Sequence, residues 1–481
     1  MSSLLLLALL VSVNGFMSIT PAFCDTMRFE MIHRHSPELS GRLGAGLQKT
    51  RLEQVRELVR LDEQRTQMIY HRIGQRTERR KDAEGGADGQ IGAAAWTGKV
   101  IGSSGASVPM FSGSFAGEGL YFVPFRVGTP AQNVLLVADT GSDLTWMNCI
   151  HGCRNCGRKV DRRRFFNADL SSSFTTIPCL SRMCKNDLAV MFSLTDCPKP
   201  LNPCKYDYSY SSGQSAQGFF ANESVTVRLT NGRKMKIHHV LVGCTQTTQG
   251  QKFSNVVDGI LGLGYSPNSF ATKVLQVFGS KFSYCLVDHL SPRNVSNYLV
   301  FGRNHIVNVN PPEMQYTELM VGKVLPYYAV NVIGISIGGV LLRIPLSVWN
   351  LDKNGGTILD SGTSLTLLVE PAYRLVIDAL KVALIMYKKA EVPEFEVCIK
   401  VDKAFDEGLV PRLGIHFAGG ARLLPPVKSY LIDVADGIKC LGFRSVFWPG
   451  ISVIGNIMQQ NFFWELDLRR ERVGFAPSSC A

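Results

Sequence analysis

The sequence predicts a mostly β protein built from two related halves. Three observations carry that reading. A short motif occurs twice, as Val137-Ala138-Asp139-Thr140-Gly141-Ser142 and as Ile358-Leu359-Asp360-Ser361-Gly362-Thr363. Each copy is followed later by an apolar-apolar-glycine segment, Ile260-Leu261-Gly262 in the first half and Val453-Ile454-Gly455 in the second, so matched pieces recur in the same order, as in an internal duplication. After Ser107, long helical periodicity is scarce. Short alternating runs such as Ser224-Val225-Thr226-Val227-Arg228-Leu229, closed by Thr230-Asn231-Gly232, read instead as strands meeting at a hairpin.

The chain has 481 residues, 45% of them hydrophobic. That suits two lobes plus extra segments with an ordinary globular core. Residues 1–24 form an apolar run with a small-residue tail and read as a signal peptide. The run is short for a membrane span, and no later stretch reads as a membrane anchor. Residues 25–106 open Met31-Ile32-His33-Arg34-His35 and continue as a charged helix with Leu47, Leu52, Val55, Leu58 and Val59 on one face. A glycine-rich linker closes the segment. A solvated helix on a tether is the plain reading; a basic pro-segment that pairs with acids in a cleft until acidification is the sharper one. Residues 107–310 and 311–481 are the expected N- and C-terminal lobes. Within the second, residues 371–389 predict a helix, with Pro371 in its first turn and lysines at its end.

The formal net charge is +12. Arg162-Arg163-Arg164 is the densest basic run, yet no nucleic-acid motif accompanies it, and no nucleic-acid partner is expected. His33, His35, His238 and His239 show no metal-ligand spacing. Thirteen cysteines are present. Setting aside Cys24 beside the signal leaves Cys149, Cys153, Cys156, Cys179, Cys184, Cys197, Cys204, Cys244, Cys285, Cys398, Cys440 and Cys480, an even set suited to disulfides in an oxidising compartment. Cys149, Cys153 and Cys156 with His151 also carry a zinc reading, but no second matched pair follows, and no metal or cofactor is expected. Asn222-Glu223-Ser224 and Asn294-Val295-Ser296 are N-glycosylation acceptors on an exported chain.

An aspartate at the end of a buried strand is costly unless hydrogen-bonded. Two such carboxylates in a duplicated frame meet across a pseudo-twofold axis. Held close, they cannot both ionise comfortably, so one keeps its proton and the other is charged. That supplies an acid and a base at one site, able to set a water against a peptide carbonyl.

On these residues the chain resembles the pepsin-like aspartic endopeptidases, more narrowly their plant, nepenthesin-like branch. Within that branch it is most similar to a member assigned to the chloroplast. The likeness covers residues 107–480 and rests on Gly128-Thr129-Pro130, both aspartate motifs, the cysteine-rich stretch after Trp146, Tyr208-Ser209-Tyr210, Asp258 through Gly264, Phe282-Ser283-Tyr284-Cys285, Val453-Ile454-Gly455-Asn456 and Val473-Gly474-Phe475-Ala476-Pro477. It implies a bilobal double β-barrel with the active-site cleft between the lobes. Asp139 and Asp360 match the catalytic pair. Thr140 and Ser361 match hydroxyls that tie the two loops; Ser142 and Thr363 match hydroxyls that bond the carboxylates; Gly141 and Gly362 complete the turns. Tyr210 matches the tyrosine of the hairpin flap and Trp146 the tryptophan it leans on. The branch usually carries Gly-Asp-Gly-Ser after that tyrosine; here the run is Ser211-Ser212-Gly213-Gln214, with Gly213 left for the tight turn. The resemblance also implies protein or peptide substrates, an inhibitory pro-segment, a monomer, and a Cys398–Cys440 disulfide. Export points to cell wall, vacuole or extracellular fluid, the likeness to the plastid. Relatives that bind and inhibit other enzymes typically lose part of one aspartate motif, and both are whole here.

Overall fold

The computed structural model describes residues 50–84, 106–112, 120–152, 165–189, 197, 199–209, 215–229, 231–249, 257–287, 297–302 and 313–480. The signal segment, the linker, Tyr210, Gly213, Cys153, Cys156, Arg162-Arg163-Arg164, His33, His35 and Asn294 lie outside the described residues.

The chain is mostly β with few helices, and its two halves repeat one plan. In the first half the strand Gln132–Asp139 pairs antiparallel with Tyr121–Val127 and parallel with Gly259–Gly262, which sets Gly262 beside Asp139. In the second half Thr357–Leu359 pairs antiparallel with Tyr328–Val330 and parallel with Ser452–Ile454, which sets Ile454 beside Leu359. Each motif strand therefore has its own apolar-apolar-glycine strand as parallel neighbour. The strand after each motif folds back on that same neighbour: Trp146 pairs with Ile260, and Leu367 with Val453. Val134 to Ala138 and Ile358-Leu359 run apolar and buried up to each aspartate, because both faces of those strand segments are covered.

The halves are joined by long-range antiparallel pairing. Lys281–Cys285 runs against Phe462–Asp467, which in turn pairs with Arg472–Pro477. The hairpin expected at Thr230-Asn231-Gly232 is present between Ser215–Arg228 and Lys234–Gln249. Gly232 supplies the left-handed position it needs, at φ 82°.

Three helices matter here: α1 (Arg51–Glu84), α2 (Phe270–Phe278) and α3 (Glu370–Ala383). Helix α3 buries Val376, Ile377 and Leu380, as its periodicity predicts. It ends at Ala383, not residue 389, because Lys389 and Ala390 are taken into a strand against Ile399 and Cys398. Met386, which the expected helix would have carried on its apolar face, is 76% exposed beyond its end.

Five disulfides close among the described residues: Cys149–Cys244, Cys179–Cys197, Cys184–Cys204, Cys285–Cys480 and Cys398–Cys440. The last is the pairing implied by resemblance. Cys149, which the zinc reading needed as a thiolate, is bonded to Cys244, and His151 faces Asp169 at 2.8 Å. Asn222 lies half-buried within a strand, and Ser224 of its triplet is buried with its hydroxyl 3.1 Å from His238.

Candidate active site

The two turns that follow the motif strands face each other. Asp139 and Asp360 are both buried, 1% and 0% exposed. Each carboxylate is held in the same way. Asp139 accepts from the Gly141 amide at 2.9 Å and from the Ser142 hydroxyl at 2.6 Å. Asp360 accepts from the Gly362 amide at 2.8 Å and from the Thr363 hydroxyl at 2.7 Å. The partner strands hold the turns from below: the Leu263 amide donates to the Asp139 carbonyl and the Asn456 amide to the Thr363 carbonyl, at 2.8 and 2.7 Å. The Asn456 side-chain amide also donates to the Ser361 carbonyl at 3.0 Å.

Both glycines of the motif are there for space. A Cβ on Gly362 would stand 2.3 Å from Asp139 Oδ1, and one on Gly141 would stand 2.7 Å from Asp360 Oδ1. No side chain at either glycine position fits between its own turn and the opposite carboxylate. Trp146 is buried at the start of the strand after the first turn. Its proposed flap partner lies outside the described residues.

One side chain that sequence reading did not single out completes the site. Arg65 of α1 enters the cleft, 11% exposed. Its Nη1 donates to Asp139 Oδ2 at 2.8 Å and its Nε to Asp360 Oδ2 at 3.1 Å. Its Nη2 donates to an oxygen of each aspartate. One guanidinium nitrogen thus touches both carboxylates. Burial alone would raise the Asp139 carboxyl, but the Arg65 charge and hydrogen bonds outweigh it and hold that carboxyl below the ordinary carboxylate value. Asp360 goes the other way: burial raises it, Arg65 offsets part of the rise, and the Asp139 charge adds to it. The planar fork suits this double contact better than an ammonium would.

Helix α1 reaches the cleft along the second half of the chain. Val55, Leu58 and Val59 are buried with Leu365, Val392, Phe395, Ile432, Val434 and the Cys398–Cys440 pair. Arg56 meets Glu394 at 2.8 Å, Glu63 meets Arg444, and the Tyr70 hydroxyl donates to the Ile451 carbonyl at 3.3 Å. Rim ion pairs contribute roughly 0–1 kcal/mol each, whereas burying a Val or Leu side chain contributes roughly 1.5–3 kcal/mol. The apolar face fixes the register of the helix, and that register delivers Arg65 between the aspartates.

The sequence comparisons agree with this geometry. Two family profiles match, one described as xylanase inhibitor N-terminal over residues 121–303 and one as xylanase inhibitor C-terminal over residues 327–477. Over 385 residues the chain is 36% identical to aspartyl protease family protein 2 of Arabidopsis thaliana, spanning 78% of this chain and 74% of that protein. It is 32% identical over 374 residues to the aspartic proteinase nepenthesin-1 of Nepenthes gracilis, spanning 76% and 79%. The chain belongs to the plant nepenthesin-like branch of the pepsin-like aspartic proteases. This nepenthesin-like protease shares its fold with two solved structures. One is edgp, at a TM-score of 0.65 and 19% identity, covering 79% of this chain and 96% of that one. The other is conglutin gamma from lupine seeds, at 0.61 and 21%, covering 77% and 94%. Among the described residues no helix of the protease is long and apolar enough to cross a membrane.

Proposed function

We propose that this protease is an acid-active endopeptidase made as a latent precursor, with Asp139 and Asp360 as its catalytic pair and α1 as its inhibitory pro-segment. The observation that carries the reading is the single Arg65 nitrogen within hydrogen-bond reach of both carboxylates. Groups that near can flank one water once the arginine has left.

In the open enzyme the pair titrates as a unit and keeps one proton. The ionised aspartate takes a proton from the water as its oxygen attacks the scissile carbonyl. The protonated aspartate gives its proton to the carbonyl oxygen, and a neutral tetrahedral intermediate forms. Its collapse breaks the C–N bond, with the amine leaving as it gains a proton from the pair. Ser142 and Thr363 keep one oxygen of each carboxylate occupied, which leaves the inward oxygens for the water. The substrate is an extended peptide lying between the lobes, with apolar side chains favoured beside the cut, covered by a hairpin carrying Tyr210 and Gly213 against Trp146.

Export follows from the signal segment and suits the disulfides; cell wall, vacuole or extracellular fluid is the proposed destination, with the plastid as the alternative. Asn222 and Asn294 are proposed glycan acceptors, and the working form is a monomer. The second reading, a pepsin-fold inhibitor or binding protein, takes its support from the printed names of the two matching profiles. Against it stand two whole aspartate motifs with every hydroxyl partner in place. Cleavage of a denatured protein at acid pH, measured for the wild type and for Asp139→Asn and Asp360→Asn, separates the two. The protease reading requires activity only in the wild type, and full activity in either variant removes the mechanism.

A further inference from the structure

Asp62 stands one turn before Arg65 on α1 and is 2% exposed. Its Oδ1 accepts from the Ser364 amide at 2.7 Å and its Oδ2 from the Leu365 amide at 2.6 Å. Both amides belong to the segment that leaves the Asp360 turn. The buried Ser364 hydroxyl faces the same carboxyl and, as a donor, favours its ionised form. A carboxylate on an inhibitory helix has thus been brought into a cleft that already holds two.

We propose that Asp62 and the Ser364–Leu365 amide pair form a second latch on the cleft, one that tightens on mild acidification and so sets how acid the medium must become before the Arg65 lock releases. This rests on the pro-segment reading of α1 given above.

The charged groups facing Asp62 come from three places. Asp360 faces it from the catalytic turn and repels its charge. Arg65, on its own helix, is committed to the two aspartates. Asp139 lies beyond that arginine. The neighbouring Glu63 turns away to Arg444. Burial pushes the Asp62 carboxyl up to about 7, against the pull of the two amides and the Ser364 hydroxyl and with the push of the Asp360 charge. On a released helix the same side chain meets water and returns to roughly 4, the ordinary carboxylate value.

The docked value is therefore the higher one. Docking takes up a proton at Asp62 between pH ~4 and ~7, and the contribution is fully present below ~4 and lost as pH rises through ~7. A protonated carboxyl still has lone pairs for both amides, and the Ser364 hydroxyl, a donor to the ionised carboxyl, rotates to accept from the protonated one. The Arg65 contact has the opposite sign, because Asp139 is held low in the docked state. Its contribution is present at neutral pH and lost on acidification. Over the mildly acid range the gain at Asp62 offsets the loss at Asp139. Below about pH 4, where Asp62 is protonated whether docked or free, nothing further offsets the loss and the helix lets go.

The test uses the full chain, as wild type, Asp62→Asn and Asp62→Ala. The rate of appearance of peptidase activity, together with loss of the N-terminal segment, is followed from pH 7 to pH 3. The ratio of variant to wild-type rate rises as pH falls, by up to about tenfold per pH unit between 7 and 4, and then levels. Both variants share that slope. Alanine lies above asparagine because it loses both amide contacts, whereas asparagine keeps one. A latent wild type with a ratio that does not change with pH overturns the latch and leaves Asp62 a plain anchor. A wild-type chain that already cleaves at pH 7 with α1 attached overturns the pro-segment reading, and the latch with it.

Discussion

Thr140 and Ser361 exchange hydrogen bonds across the two halves of the chain. The Ser361 amide donates to Thr140 Oγ1 at 2.9 Å, and the Thr140 amide donates to Ser361 Oγ at 3.1 Å. The Ser361 hydroxyl donates in turn to the Ala138 carbonyl at 3.0 Å. Each aspartate is thereby positioned by the turn that carries the other. Thr140→Val keeps the shape but strands a buried amide, which costs roughly 1–3 kcal/mol. We expect a lower midpoint in chemical denaturation and a fall in kcat larger than any change in KM, because the carboxylates lose their mutual register. Denaturant melts and steady-state kinetics on the processed enzyme check both.

Gly362→Ala tests the close approach directly. The added methyl falls 2.3 Å from Asp139 Oδ1, and the carboxylate must move. A displacement of about 1 Å at a reacting group costs on the order of 100-fold in rate. We expect that loss at acid pH with an unchanged circular dichroism spectrum, measured side by side with the wild type.

Most of the frame around the two aspartates was legible in the sequence because it depends on short-range patterns. An apolar strand must end before a carboxylate can turn inward, and both motifs say so. Their partner strands, Ile260-Leu261-Gly262 and Val453-Ile454-Gly455, were found as matched pieces, and they pair beside the two motifs. The apolar face of α1 was legible too, from Val55, Leu58 and Val59. Arg65 was not. It is one of eight arginines in the helix, and only the register of the apolar face along the second lobe selects it. Asp62 was missed for the same reason, since an acid in a basic helix reads as solvated until the wall it meets is known. The available signal was spacing: Leu58, Asp62, Arg65 and Ile69 follow one another at helical intervals on one face, and Ile69 is 1% exposed. The end of α3 failed as a prediction because strand pairing by Lys389 and Ala390 with residues further on overrode local periodicity.

The Cys398–Cys440 bond lies within the apolar surface that receives Val55, Leu58 and Val59. Replacing both cysteines by serine is expected to destabilise the second lobe by roughly 2–5 kcal/mol and to loosen the seat of α1. The paired serine variant then releases its N-terminal segment faster than the wild type at the same pH. Thermal melts of the processed enzyme and timed gels of the precursor measure the two effects separately.

Arg65→Gln isolates the two latches. With the guanidinium gone, burial and mutual repulsion dominate the Asp139–Asp360 pair, and α1 loses the contact that neutral pH favours. Latency at pH 7 should fall sharply, and a transition-state mimic of the pepstatin type should bind the intact chain where it is excluded from the wild type. A buried titrating contact left on the helix is then Asp62, whose docked carboxyl stands at about 7. Docking in the variant therefore strengthens as pH falls from ~7 to ~4, the reverse of the wild-type lock. Arg65→Lys keeps the charge but loses the fork, and belongs between the two. Affinity for the mimic, titrated at each pH on the full-length chains, reads this directly: between pH ~7 and ~4 it should stay low in the wild type, where the Asp62 and Arg65 contacts offset each other, and fall in Arg65→Gln. Parallel curves for the two would mean that Arg65 does not govern the cleft.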